Sequence, residues 1–195
     1  MGSDLDGNRS VDEVDLLRRF AAGDRHAATE LAQVFLPMCL RYARRMLGDP
    51  VEAEDVAQEA MIRLWRVAPE WRSGEAKVST WLYRVTANLC VDRMRRKPTQ
   101  TFDEISEPED PSQTVLDRLQ DQTRMDALQI ALLSLPDRQR QAVVLRHIEG
   151  LSNPEIASIM DISARAVESL TARGKSALTQ KMAHKRAELG FEGHG

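Results

Sequence analysis

The chain has 195 residues, of which 29% are charged and only 5% aromatic, and its formal net charge is −3. That length suits one large domain or, better given the composition breaks described below, two small ones. Apolar runs are only a few residues long and the amino-terminus is acidic and polar, so neither a membrane span nor a secretory signal is expected, and the protein is expected in the cytoplasm.

Apolar residues recur at helical rather than alternating spacing, which predicts an all-α protein. Ser10 and Glu13 form a capping box for a first helix that runs to about Ala22 and stops at Gly23. Asp24 caps a long second helix ending at Gly48, with a bend or break expected at Pro37. Asp49, Pro50 and Glu52 then combine a cap, a first-turn proline and a capping-box acid. The helix they start carries Val56, Ala60, Leu64 and Val67 on one side and stops before Pro69. Residues 70–78 read as a loop, and Ser79 caps a helix that runs to Lys97, where Pro98 stops it. The Pro-rich, acidic and aperiodic stretch 99–111 reads as a flexible linker. Helix resumes over 112–133 and again over 136–149, closed by Gly150. The expected architecture is two small helical domains, 1–98 and 112–195, joined by that acidic linker.

Charge follows the same division. Residues 81–98 carry a net +4, residues 99–126 a net −6, and residues 137–187 a net +4. Two basic blocks flanking an acidic strap suggest two separate contacts with one nucleic acid.

The carboxy-terminal block has the spacing of a helix-turn-helix. Ser152 caps a short helix, Asn153 to Met160, with Pro154 in its first turn and Glu155 at the capping-box position. Ile156, Met160, Ile162, Val167 and Leu170 are apolar where two steeply crossed helices must touch, and Ala157 is small at their closest approach. Asp161 stands in the turn where glycine is usual, and Asp tolerates the left-handed conformation better than most residues. Ser163 caps the second helix, whose side chains Arg165, Glu168, Ser169, Ala172, Arg173 and Lys175 would face the major groove. A helical hairpin buried in an all-α domain is the plainer alternative.

The amino-terminal half narrows the reading. The run Asp49-Pro50-Val51-Glu52-Ala53-Glu54-Asp55-Val56-Ala57-Gln58-Glu59-Ala60, then Leu64-Trp65-Arg66, Ser79-Thr80-Trp81-Leu82-Tyr83-Arg84 and Asn88 to Arg93, closely resembles the second conserved region of bacterial sigma factors of the extracytoplasmic-function (ECF) group. Leu135 to Arg140 and Glu149 to Arg173 resemble the fourth region of the same family, in the right order. The resemblance implies two partners, core RNA polymerase and promoter DNA, and a third in the form of a restraining anti-sigma factor, with no cofactor. It places Asp55, Gln58 and Glu59 where the family docks on a coiled coil of the polymerase. It places Trp81, Arg84, Asn88, Arg95 and Arg96 where the family opens and reads the minus-ten element, a task that needs cations for phosphate, flat groups for stacking and a pocket for an extruded base. Trp81 and Tyr83 cannot both face the DNA, so at least one packs inward. The resemblance also assigns Arg165, Glu168, Ser169, Arg173 and Lys175 to the minus-thirty-five element. Glu168 and Leu170 stand where the family often has basic residues. Glu168 cannot attract phosphate but can accept a hydrogen bond from a cytosine amino group.

Two rivals remain open on the sequence. A one-component helix-turn-helix regulator would use the carboxy-terminal half but leave Asp49 to Lys97 without a role. A nuclease with a DNA-binding tail would need a metal-binding acid cluster; Glu52, Glu54, Asp55 and Glu59 are the candidates, and on one helix they do not all converge. His26, His147, His184 and His194 fit no nucleophile or metal pattern. The chain is therefore expected not to be an enzyme.

Overall fold

The computed structural model describes residues 13–72, 77–96 and 116–188, with side chains described at 13–72, 77–96 and 125–183. The described residues form helices joined by short turns, and none of the helices among them is long and apolar enough to cross a membrane. Four α-helices form the amino-terminal half: α1 (Glu13–Ala21), α2 (Arg25–Leu47), α3 (Pro50–Val67) and α4 (Val78–Arg96). Four more form the carboxy-terminal half: α5 (Leu116–Leu133), α6 (Asp137–Val143), α7 (Asn153–Met160) and α8 (Ala164–Glu188). The linker expected at 99–111 lies outside the described residues, as do Ser10, Gly74, Lys97 and Pro98.

Capping chemistry sets several of the helix ends. The Asp24 carboxylate accepts from the amides of His26 and Ala27 at 2.8 and 3.4 Å, and the Asp49 carboxylate accepts from Val51 and Glu52 at 3.0 and 3.2 Å. Gly48 ends α2 in the left-handed region at φ 72°, and its N–H bonds to the Arg44 carbonyl. Helix α2 runs through Pro37, which is exposed, so the expected break does not occur. Leu31, Phe35, Cys39, Tyr42, Ala43 and Met46 form its buried stripe.

Three further local readings change. Helix α4 begins one residue before Ser79, and the Ser79 amide and hydroxyl both donate to the Glu13 carboxylate, at 3.1 and 3.2 Å. A carboxylate from α1 thus does at the start of α4 what a local cap would do, with a full negative charge at the positive end of the helix. Glu52 reaches across to Arg93 on α4. The stretch 136–149 is not one regular helix: α6 gives way to a π turn over Val144–Ile148.

Two apolar clusters hold the molecule together. One joins α1 to α2, α3 and α4 through Leu16, Leu17, Leu31, Phe35, Leu64, Val78 and Leu82. The other is shared between the halves: Tyr42, Met46, Val56, Tyr83 and Cys90 pack with Leu132, Leu135, Val143, Val144, Leu145 and Ile156. Helix α2 lies against α5, α6 and the π turn, and α4 lies against α7. Cys39 and Cys90 are both free and buried.

Candidate nucleic-acid interface

The helix-turn-helix forms as its residues dictate. Ser152 and Glu155 make a reciprocal capping box at the start of α7. Asp161 adopts φ 53° and ψ 54°, the left-handed conformation the turn requires. The Ser163 hydroxyl accepts from the Ala166 amide at 3.2 Å at the start of α8. Ile156, Met160 and Val167 are buried under the pair. Gly174 lets α8 lie directly on α6: a Cβ there would stand 2.6 Å from a Val143 methyl and 3.2 Å from the Gln139 carbonyl.

With that underside fixed, Arg165, Glu168, Ser169, Ala172, Arg173 and Lys175 all lie exposed on the outward side of α8. His147, in the π turn, is near Lys175 and Arg146. Its pKa is lowered first by partial burial and then by these two cations, so this edge is a cationic patch.

Trp81, Arg84, Asn88 and Arg95 follow one stripe of α4, at spacings of three, four and seven residues. Asn88, Arg95 and Arg96 are exposed. Trp81 is half-buried and meets Trp71 edge to face, with ring centroids 5.8 Å apart. Tyr83 is buried. Arg84 does not point freely outward, because its guanidinium donates to the Ser158 carbonyl at 3.1 Å from Nε and to the Ser158 hydroxyl at 3.3 Å from Nη2.

The acidic residues of α3 line a groove of about 410 Å³ between α3 and α4. Asp55, Gln58, Glu59 and Ile62 form one wall, and Leu89, Asp92, Arg93 and Arg96 the other. Arg93 lies 3.6 Å from Asp55, and Arg63 pairs with Glu59 at 2.9 Å. Exposed pairs of this kind are worth roughly 0–1 kcal/mol, so a basic partner can displace them.

The arrangement that sequence reasoning missed is centred on Glu149. Its side chain has 0% exposure, and it accepts from Arg41 of α2 and from the Tyr83 hydroxyl of α4. The sequence offered a misleading signal, since Arg146 stands three residues before Glu149 as a ready local partner, but its guanidinium donates to the Leu151 carbonyl at 2.9 Å instead.

The sequence matches the family model for Sigma-70 region 2 over residues 31–99 and that for Sigma-70 region 4 over residues 125–178. It is 33% identical over 177 residues to the ECF RNA polymerase sigma factor SigW of Bacillus subtilis (strain 168), an alignment covering 85% of this chain and 94% of that protein. It is 31% identical over 181 residues to the ECF RNA polymerase sigma factor SigM of Mycobacterium tuberculosis, covering 91% of this chain and 88% of that protein. In fold it is similar to CnrH, solved in complex with the cytosolic domain of CnrY, with a TM-score of 0.67 and 22% identity over 89% of this chain and 98% of that one. It is also similar in fold to the sigma factor RpoE of Bartonella quintana, solved with the anti-sigma factor NepR, with a TM-score of 0.62 and 19% identity over 80% of this chain and 96% of that one.

Proposed function

The chain belongs to the ECF group of RNA polymerase sigma factors, subunits that bind core polymerase and direct it to promoters, and we propose which of its surfaces performs each step. It is not itself an enzyme, and a helix-turn-helix regulator acting without polymerase is not favoured, because the region 2 match gives the amino-terminal half a role.

Asp55, Gln58 and Glu59 dock the chain on core polymerase. The observation that carries this assignment is the groove in which Asp55, Gln58 and Glu59 stand beside the apolar side chains of Ile62 and Leu89, with Arg63 and Arg93 holding the places that a basic helical partner would take over. Trp81, Arg84, Asn88, Arg95 and Arg96 act on the minus-ten element. Cations at the end of α4 hold phosphate, Asn88 offers donor and acceptor to a base edge, and the Trp81 indole offers a flat face where it is not covered by Trp71. Arg165, Glu168, Ser169, Arg173 and Lys175 act on the minus-thirty-five element from the exposed side of α8. On this reading residues 1–98 bind polymerase and melt DNA, residues 112–195 read the upstream element, and 99–111 connect them.

The protein works in the cytoplasm, where polymerase and promoter are, under the restraint of an anti-sigma factor. The support for that restraint is the likeness in fold to RpoE, which was solved with its anti-sigma factor NepR.

Competition for core polymerase against a second sigma factor tests the docking assignment. Asp55→Lys and Gln58→Ala are expected to lose the competition while the fold is retained. Unchanged core affinity in a folded Asp55→Lys chain would overturn the assignment.

A further inference from the structure

The Glu149 carboxylate is wholly buried, yet every group shown to neutralise it belongs to the other half of the chain. Arg41 donates from Nε to Oε1 at 2.9 Å and from Nη2 to Oε2, and Tyr83 donates its hydroxyl to Oε2 at 2.6 Å. Burial, and then the carboxylate itself, push the Tyr83 phenol upward, so it stays protonated as a donor. A charge this deep is tolerated when paired and hydrogen-bonded, and costs heavily when left alone. Weaker contacts run along the same seam. Lys77 meets Glu155 at 3.0 Å, Arg45 donates to the Gln129 side-chain oxygen at 3.0 Å, and Arg84 holds Ser158. Leu133 lies so close to Gly48 that a Cβ there would stand 2.5 Å from its methyl.

This arrangement cannot read a promoter. The minus-ten and minus-thirty-five elements lie about 25 base pairs apart, or roughly 85 Å along B-DNA at 3.4 Å per pair. In the structure α4 touches the helix-turn-helix directly, through Arg84 and Ser158. Helix α8, with its 25 residues, is only about 37 Å long at 1.5 Å per residue. The two reading surfaces must therefore separate. The covalent chain permits it, since residues 97–115 reach about 65 Å at roughly 3.4 Å each.

We infer that the Arg41–Glu149–Tyr83 cluster is a latch that holds the free chain in a closed, promoter-incompetent state, and that its release limits productive assembly with core polymerase. The closed state ties down Arg84 but leaves the Asp55–Gln58–Glu59 groove and the outward face of α8 exposed, so the chain can meet its partners before it opens. The incompetence of the closed state rests on the promoter roles proposed above; the latch itself rests on the geometry alone.

Fluorescence transfer within the full chain tests it, with dyes on Arg66→Cys in α3 and Gln180→Cys in α8, both exposed positions. The native thiols stay unlabelled, because Cys39 and Cys90 are buried and burial pushes them up to about 11 and about 12. The wild-type chain is expected to populate one high-transfer state. Glu149→Gln, Arg41→Gln and Tyr83→Phe, with helicity unchanged, are each expected to raise the low-transfer population roughly tenfold or more, the effect of losing a charge-assisted hydrogen bond. The Arg41→Gln/Glu149→Gln double variant should gain much less than the product of the two single effects. The association rate with core should rise in step, while promoter opening by the assembled holoenzyme stays unchanged. An unaltered high-transfer population in all three variants, or a wild-type chain that is already low-transfer, would overturn the latch. Opening without faster assembly would overturn its gating role. Failure of every form, wild type included, to bind core would instead strike the polymerase reading and leave the transfer result standing.

Discussion

Asn153, the first residue of α7, donates its amide to the Glu168 carboxylate on α8 at 3.3 Å. On a helix proposed to face DNA an acid repels phosphate, so its presence there has to be explained by a base or by a structural partner. The amide is neutral and leaves the carboxylate its charge and its remaining lone pairs, and it orients them. Glu168→Ala is therefore expected to relax preference at one position of the minus-thirty-five element, with a loss of about 1–3 kcal/mol in discrimination. Asn153→Ala should blunt the same position more weakly, by freeing the side chain to rotate. Lys175→Ala should weaken all sequences alike and reduce the salt dependence by roughly one phosphate contact. Binding selections on a randomised element check all three, and an unaltered preference in Glu168→Ala would reduce the residue to a partner of Asn153.

Asn88 is exposed on the same stripe of α4 as Arg84 and Arg95. If it pairs with a base that becomes available only after strand separation begins, Asn88→Ala should slow promoter opening more than it weakens the closed complex. Permanganate reactivity of unpaired thymines, followed in time, reads the difference. Opening at the wild-type rate would remove Asn88 from the site.

Gly174 sits where α8 crosses α6, with a Val143 methyl 2.6 Å and the Gln139 carbonyl 3.2 Å from where a Cβ would be. Alanine would gain up to about 1 kcal/mol in helix propensity, but overpacking a well-filled contact costs about 1–3 kcal/mol. The clash involves backbone as well as a core methyl, so the second effect wins. Gly174→Ala should destabilise the chain by about 1–2 kcal/mol in chemical denaturation, with reduced promoter binding following from a displaced α8.

Glu155 has its carboxyl held down at about 2, against an ordinary 4.5, first by the Ser152 hydroxyl, then by the Ser152 amide, then by Lys77. A depressed value means that the folded state favours the carboxylate. The stabilisation is complete above pH 4.5 and is lost as pH falls through that value toward about 2. Side-chain NMR titration should find Glu155 among the most acidic glutamates. Ser152→Ala should move it up further than Lys77→Ala does, and should cost about 1 kcal/mol as a lost cap.

What could be read in advance divides by distance along the chain. The capping box of Ser152 and Glu155, the left-handed Asp161, the Asp49 cap and the buried Val167 all depend on neighbours within a few residues, and each forms as expected. Glu13 and Glu52 also looked like local capping acids, but their charges are used on α4, by Ser79 and Arg93, which are 66 and 41 residues away. Glu149 is the extreme case, with partners 66 and 108 residues distant. Helical periodicity also hides the π turn at Val144–Ile148, since one extra residue in a turn leaves the apolar pattern almost unchanged. The candidate site residues were read from residue type and family pattern, and that pattern carries no information on Arg84 being held by Ser158 in the closed chain.

Run-off transcription with purified core polymerase is the most direct measurement of the central claim. Core polymerase with the wild-type chain is expected to give a discrete transcript from a promoter selected by the chain. The transcript should be lost with Asp55→Lys, although that variant still binds the upstream element through α8. DNA binding by the wild-type chain with no transcript and no association with core would contradict the account.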